Sequence, residues 1–327
     1  MSVPTIFLIP STGAPMRTGL DCLVCFMRQA LSAARLSIDD PGLHRQAINE
    51  AGKMLAHVEL DKSPPENAVF LYRLIAEITG KTDPFADLKK QSNAFALSIR
   101  DRISEQIAGA GDSLRAAIHF AACANIIDYG AQHSFDAGQA MAECVSQSFV
   151  VDDYSSLMDR LQNQKKPKIL YLADNCGEIV FDGLVIRELQ NIGCEVTLAV
   201  RGAAIINDAV MDDAITCGLT SICRVIDNGT GCPGTPLAGC SDEFRKIFAA
   251  ADIIVSKGMG NFETLSEIDA PLFFLFTVKC SRVASHLRQV INLKDQEING
   301  TGEMVFIRRQ RMEDRGQKTD QPVAGGK

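Results

Sequence analysis

Apolar and polar positions follow two regimes along this chain, and the change between them falls near residue 165. From Leu20 to Leu161 apolar residues recur three and four positions apart in CLVCFMRQALSAARL, HRQAINEAGKMLAHV, ENAVFLYRLIAEITG, ADLKKQSNAFALSIRDRISEQI and SLRAAIHFAACANIIDYG. That spacing lines one face of an α-helix, so each segment is predicted to be an amphipathic helix. Ser63-Pro64-Pro65, Asp83-Pro84 and the glycines before Asp112 separate them with turn formers. The polar stretch QNQKKPK, 162–168, ends this regime. KILYLA, EVTLAV, CRVID, DIIVSKG and PLFFLFTV then follow as short, continuous apolar or β-branched runs with helical segments between them. Such alternation, with strands apolar on both faces, predicts an α/β domain with a mostly parallel sheet covered by helices on each side. The expected organisation is an N-terminal extension over 1–19, an all-α helical domain over 20–165 and a metal-binding α/β domain over 166–310. A polar, Gly-rich disordered tail is expected over 311–327.

Composition narrows the classes of function. With 327 residues and 46% hydrophobic content, the chain has room for one large core or two smaller ones. Its 33 basic and 40 acidic residues give a formal charge of −7, which argues against a broad cationic surface and against nucleic acid as a partner. The run Pro271–Val278 is too short to span a bilayer, and no positive charge precedes the brief apolar patch near the N-terminus, which Pro10 interrupts. No membrane partner and a cytoplasmic location are therefore expected. Oligomeric state is not legible. Eleven cysteines, an odd number spread from Cys22 to Cys280, do not form a disulfide framework. Most are expected to be reduced, with Cys144, Cys194 and Cys217 acting as small hydrophobes.

Four polar clusters fall at the exits of predicted strands: Asp174-Asn175-Cys176-Gly177-Glu178, Arg201 through Asn207-Asp208, Ser256-Lys257-Gly258 through Asn261 and Glu263, and Lys279-Cys280-Ser281. In a parallel sheet these exits share one edge, where ligands bind and helix N-termini offer N–H groups. Two Asp carboxylates, an Asn amide oxygen and several Lys or Arg groups there suit a hard divalent cation beside a phosphate. Taken singly, Asp174, Asn175 and Asp208 would serve as helix caps, each stabilising by about 1 kcal/mol. Their recurrence at adjacent strand exits favours a metal site. Asp212 and Asp213 read as a solvated face or as first-turn partners of a helix dipole. The loop 256–261 has small residues that let backbone N–H groups approach an anion, although Glu263 occupies the place of the third glycine in a dinucleotide fingerprint. Lys279 leaves the most apolar strand, where an ammonium needs a partner such as phosphate or a carboxylate. Cys22-Leu-Val-Cys25 is a single CxxC opening a helix, with no second pair at zinc spacing. Cys232, Cys240 and Cys280 are expected near the site. Asn93, Asn125 and Asp128 are polar groups in apolar helices, suited equally to a lid and to helix ends.

In combination, DNCGEIVFDGLVIREL, VRGAAIINDAVMDDA, VSKGMGNFETLSE and FTVKC, with CLVCFMRQAL and NIIDYG upstream, resemble the damage-control phosphatase family that carries the acidic-residue methyltransferase-like metal-binding domain. The resemblance is to the shorter archaeal and bacterial branch with an N-terminal CxxC, and it covers about residues 20–290. It implies a Rossmann-like three-layer α/β/α domain joined to a helical N-terminal region. It also implies a divalent metal ligated by Asp174, Asn175 and Asp208, with Lys279 binding phosphate. Cys176 and Met259 stand where Ala and Gln are common, and Ala203-Ala204 replaces a frequently Gly- or Pro-containing pair, which bears on substrate rather than on metal.

The expected activity is thus a metal-dependent phosphatase, a hydrolase of small phosphorylated metabolites such as sugar phosphates, in a damage-control role. Mg²⁺, Mn²⁺, Co²⁺ or Ni²⁺ would polarise a phosphoryl oxygen and activate a water for attack. Asp174, Asn175, Asp208 and Lys279 are the catalytic set. Glu178, Arg201, Asn207, Ser256, Lys257, Gly258, Asn261 and Glu263 are expected to contact substrate. Attack by Asp174 itself is a second route, disfavoured because Cys176 stands where a DxD pair would place a general acid. An S-adenosylmethionine-dependent carboxyl methyltransferase is the alternative enzyme class, and a non-catalytic metal- or ligand-binding protein is a third.

Overall fold

A computed structural model describes residues 16–124, 147–291 and 298–309. Asn125, Asp128, Cys144 and the tail expected over 311–327 lie outside the described residues, as does most of the N-terminal extension.

The five helical segments fold as α1 (Leu20–Ser37), α2 (Pro41–Leu55), α3 (Pro64–Thr79), α4 (Ala86–Ala108) and α5 (Ser113–Cys123). Their boundaries have local chemical causes. The Asp40 carboxylate accepts from Gly42 N at 2.7 Å to start α2, and Asp112 accepts from Arg115 N at 3.0 Å to start α5. Before α3, Ser63 N donates to Glu66 at 3.0 Å, and Pro64 occupies the first turn, where no N–H is required. Gly80, at φ +68°, ends α3 in the left-handed conformation.

The α/β half comprises β1 (Val151–Asp152), α6 (Tyr154–Gln162), β2 (Lys168–Leu172), α7 (Glu178–Asn191), β3 (Glu195–Val200) and α8 (Met211–Thr216). It continues through β4 (Arg224–Asp227), α9 (Asp242–Ala250), β5 (Ile253–Lys257), α10 (Met259–Leu265), β6 (Leu272–Val278), α11 (Ser281–Ile291) and β7 (Glu303–Arg308). The strands form one seven-stranded sheet in the order β1-β7-β6-β5-β2-β3-β4. The five from β6 to β4 run parallel, while β7 is antiparallel to β6 and pairs parallel with β1. The fold is α/β with a mostly parallel sheet, as expected, and β1 and β7 extend it beyond the five predicted strands.

Period-2 alternation splits the core into two layers. Ile169, Tyr171, Phe273 and Leu275 face α4, α5 and α7. Leu170, Leu172, Phe274 and Phe276 face Phe244 and Phe248 of α9, Phe262 of α10 and Leu287 of α11. A third core belongs to α1–α3, where Ala30, Ala34, Ala47 and Ala51 let the helices approach closely around Phe26, Leu71 and Ile75. Ile205, from the connection after β3, plugs into it. The helical residues therefore divide differently from the expected 20–165 unit. The helices α4 and α5 cover the sheet, and β1 and α6 join the α/β layer although they precede residue 166. Periodicity reveals an apolar stripe but not which surface covers it.

Among the described residues nine cysteines are free, Cys194 and Cys217 among the buried ones, whereas Cys123 is disulfide-bonded. Among the described residues no helix is long and apolar enough to cross a membrane.

Candidate active site

The order of strands reverses at β2, whose successors β3 and β5 lie on opposite sides of it. A crevice opens at such a switch point beyond the strand ends. Past β2 the chain stays extended: Ala209 N donates to Asp174 O and Cys176 N to Asn207 O, each at 2.8 Å. This short antiparallel pairing sets Asn175 against Asp208. Gly177, at φ +76°, then turns the chain into α7, and its N–H is held by Asn93 Oδ1 of α4 at 2.7 Å. Asn93 also donates to Asp213 Oδ1 at 2.9 Å, and Asp213 is buried beside Lys89 rather than solvated. Asn93 thus clamps the loop from behind. Ile206, which precedes Asn207-Asp208, sits at φ +44°, a costly conformation for a β-branched residue that clusters at functional sites.

Gly258, at the end of β5, has φ +82°, and a Cβ there would lie 2.1 Å from the Asp174 carboxyl. Only glycine lets that carboxylate pass. On its other side Arg201 Nη2 lies 3.6 Å from Asp174 Oδ1, and Arg201 Nε bonds Asp208 Oδ2 at 2.6 Å. Asn261 Oδ1, Gly234 O and Thr235 Oγ1 hold the same guanidinium at 2.9, 3.1 and 3.1 Å. Asn175 Nδ2 donates to Glu178 Oε1 at 2.9 Å and to Asp174 Oδ2 at 3.2 Å. Glu178 in turn accepts from Lys257 Nζ at 3.1 Å, and Lys257 also bonds Asp182 Oδ1 at 2.9 Å. Burial works against the Lys257 ammonium, but the Asp182 and Glu178 carboxylates outweigh it and raise its pKa. Burial, followed by the nearby Asp208 and Glu178 charges, pushes Asp174 well above the usual carboxylate range. Burial likewise raises Asp208, with Arg201 opposing it.

The cavity over these groups has a volume of about 340 Å³ and is bordered by residues of α1 and α3. Asp174, Asn175, Asn207, Asp208, Glu263 and Lys279, all site candidates in the sequence, line it. Glu178, Arg201, Lys257, Gly258, Asn261 and Ser256 are buried behind its wall. All six are expected substrate contacts; Glu178, Arg201, Lys257 and Asn261 bond other groups of the interior, whereas Ser256 Oγ has no hydrogen-bond partner among the described residues. Asp182, Asn93 as a clamp, and Thr235 were not identified from the sequence. A carboxylate inside the apolar run Ile179–Leu184 was the available signal for Asp182. Cys22, Cys25 and Cys280 also reach the cavity. Asp174 and Asp208 do not cap helices: Gly177 precedes α7 and Val210 precedes α8.

The donor chemistry fits a hard divalent cation. No described residue donates to Asn175 Oδ1, since the amide nitrogen makes both of its bonds. Burial is the main cause that raises the pKa of both aspartates, and a cation beside them would favour their charged forms. Among the described residues, no group of three or more His, Cys, Asp or Glu is arranged to hold a metal. An ion on two carboxylates and an amide would complete its shell with water and substrate oxygens, as Mg²⁺ does.

A family model, the damage-control phosphatase ARMT1-like domain, matches residues 18–292. The chain belongs to that family. A damage-control phosphatase from Pyrococcus horikoshii is 33% identical over 84% of this chain and 95% of its own length. One from Archaeoglobus fulgidus is 34% identical, over 80% and 92% respectively. The crystal structure of a DUF89-family protein from P. horikoshii superposes with a TM-score of 0.80 at 30% identity, covering 90% of this chain and 99% of that one. Membership in a family whose relatives are named phosphatases supports a phosphatase role for this chain.

Proposed function

We propose that this protein hydrolyses phosphate monoesters of small metabolites, sugar phosphates foremost, using a divalent cation (Mg²⁺, Mn²⁺, Co²⁺ or Ni²⁺) held by Asp174, Asn175 and Asp208. The observation that carries this reading is the backbone pairing of Asn175 with Asp208, which gathers three oxygen donors into a cavity shared with Lys279. A volume of about 340 Å³ suits a small ester. Phe26, Pro64, Pro65 and Ala68 would face its organic part.

Each protein group has a defined task. Lys279 supplies positive charge to the phosphoryl oxygens. Asn175 keeps its oxygen toward the cavity because Glu178 holds its nitrogen, and Glu178 is fixed by Lys257. Arg201 spaces the two aspartates from behind. The cation, when bound, supplies Lewis acidity toward the phosphoryl group and favours ionisation of the attacking water.

Asp174→Ala tests this assignment. Calorimetric titration with Mn²⁺ should lose its signal, and hydrolysis of an aryl phosphate should fall at least about 10³-fold, with the far-ultraviolet circular dichroism unchanged. Wild-type turnover that persists in excess chelator would remove the metal from the reaction.

A further inference from the structure

Glu263 stands apart from the other acids of this site. Met259, Gly260 and Glu263 share the face of α10 turned to the cavity, while Phe262 and Leu265 of the same helix enter the core. Asp174 and Asp208 are engaged by Arg201, and Glu178 by Lys257 and Asn175. The Glu263 carboxyl has no hydrogen bond or ion pair among the described residues, and burial alone pushes it up to about 8. Burial therefore favours its protonated form.

Its position along the cavity is also informative. Asp174 packs on Gly258, just before α10 begins. Glu263 lies one helical turn further on, within electrostatic reach of Cys22 and Cys25 of α1. Glu263 thus lines the same cavity as Asp174, Asp208 and Lys279, on the side that Cys22 and Cys25 of α1 also line.

We propose that Glu263 is the general acid that protonates the departing alcohol, an assignment that rests on the phosphatase reading above. The water oxygen forms the new P–O bond as the ester P–O bond breaks. The electron pair of the broken bond goes to the ester oxygen, which takes the proton from the Glu263 carboxyl. The proton released by the attacking water returns to Glu263 through solvent, so the products are the alcohol and inorganic phosphate. Alkyl esters need this proton because an alkoxide is a poor leaving group. A 4-nitrophenyl ester does not.

Glu263→Gln preserves the shape of the side chain and removes the acid. With the metal-loaded enzyme, kcat/KM for glycerol 3-phosphate should fall by about 10²-fold or more, while that for 4-nitrophenyl phosphate stays within about threefold of wild type. The affinity for Mn²⁺, measured by calorimetry, should not change. Equal losses on both esters, or no loss on either, would overturn the assignment. Should the variant fail to fold, wild-type rates across a series of aryl and alkyl phosphates decide the matter. A rate nearly independent of leaving-group basicity supports the acid, and a steep dependence overturns it. Failure of the wild type to hydrolyse any ester would instead reject the phosphatase reading.

Discussion

Beneath the cavity, Glu178, Asp182, Arg201, Lys257 and Asn261 are buried, and each is held by at least two partners. On the side of α1 and α10, Glu263 has no polar partner among the described residues, and Cys25 receives only a 3.2 Å contact from Gln29. The first region takes its ionisable groups out of bulk water, whereas Glu263 is half-buried and Cys25 exposed. The floor pairs these groups with one another, with only Asp182 Oδ2 and Arg201 Nη2 among their atoms left without a hydrogen bond to a described residue, and gains a fixed geometry. The lip leaves its groups for whatever enters. A site built this way separates the residues that hold shape from those that meet substrate, and each kind should respond differently to mutation.

The largest expected effect comes from breaking the floor. Lys257→Met removes the cation shared by two buried carboxylates and should destabilise the protein by about 3–5 kcal/mol in urea denaturation. Asn175 loses its tether when Glu178 moves, so metal affinity should fall by about 10–100-fold in the fraction that folds. Adding Asp182→Leu should restore part of the lost stability, since one uncompensated charge is gone. A single mutant within about 0.5 kcal/mol of wild type would show that the floor is not desolvated.

A smaller effect is expected from behind the loop. Asn93→Ala strips partners from Gly177 N and from Asp213 Oδ1, and a buried polar group left unpaired costs about 1–3 kcal/mol. The Gly177 turn should loosen with it. Faster hydrogen exchange at Gly177 together with weaker metal binding would confirm the clamp. Unchanged exchange would mean that the turn holds itself.

The same contrast explains which parts of the molecule the sequence discloses. Five strands and five helices are legible because each carries a long run or a clear period, as in Leu272–Val278. Val151–Asp152 has only two residues, and in Glu303–Arg308 the apolar stretch Met304–Ile307 has no alternation, because both faces are buried. Asp174, Asn175 and Asp208 are visible as polar breaks at strand exits. The Lys257–Asp182 pair is not, since 75 residues separate its members and only the fold joins them. Asn261 and Lys257 belong to a segment that reads in the sequence as an anion cradle, but Lys257 ends β5 and Asn261 lies in α10. Their side chains nevertheless turn inward, to Arg201 and to Glu178 and Asp182, because the interior holds the stronger partners.

The smallest effect should come from the CxxC. Cys22 and Cys25 reach the cavity, but burial raises both thiols above their ordinary pKa, with Glu263 and Cys280 adding to the rise. The nucleophile and metal ligand is the thiolate, so these groups are poor in either role at neutral pH. Cys22→Ser exchanges a buried thiol for a hydroxyl of similar size and should cost about 1 kcal/mol of stability. Hydrolysis should stay within about twofold of wild type. A loss beyond about tenfold at unchanged metal affinity would move the thiols from the lip into the chemistry, and the division between a holding floor and an open lip would then have to include a third, reactive class.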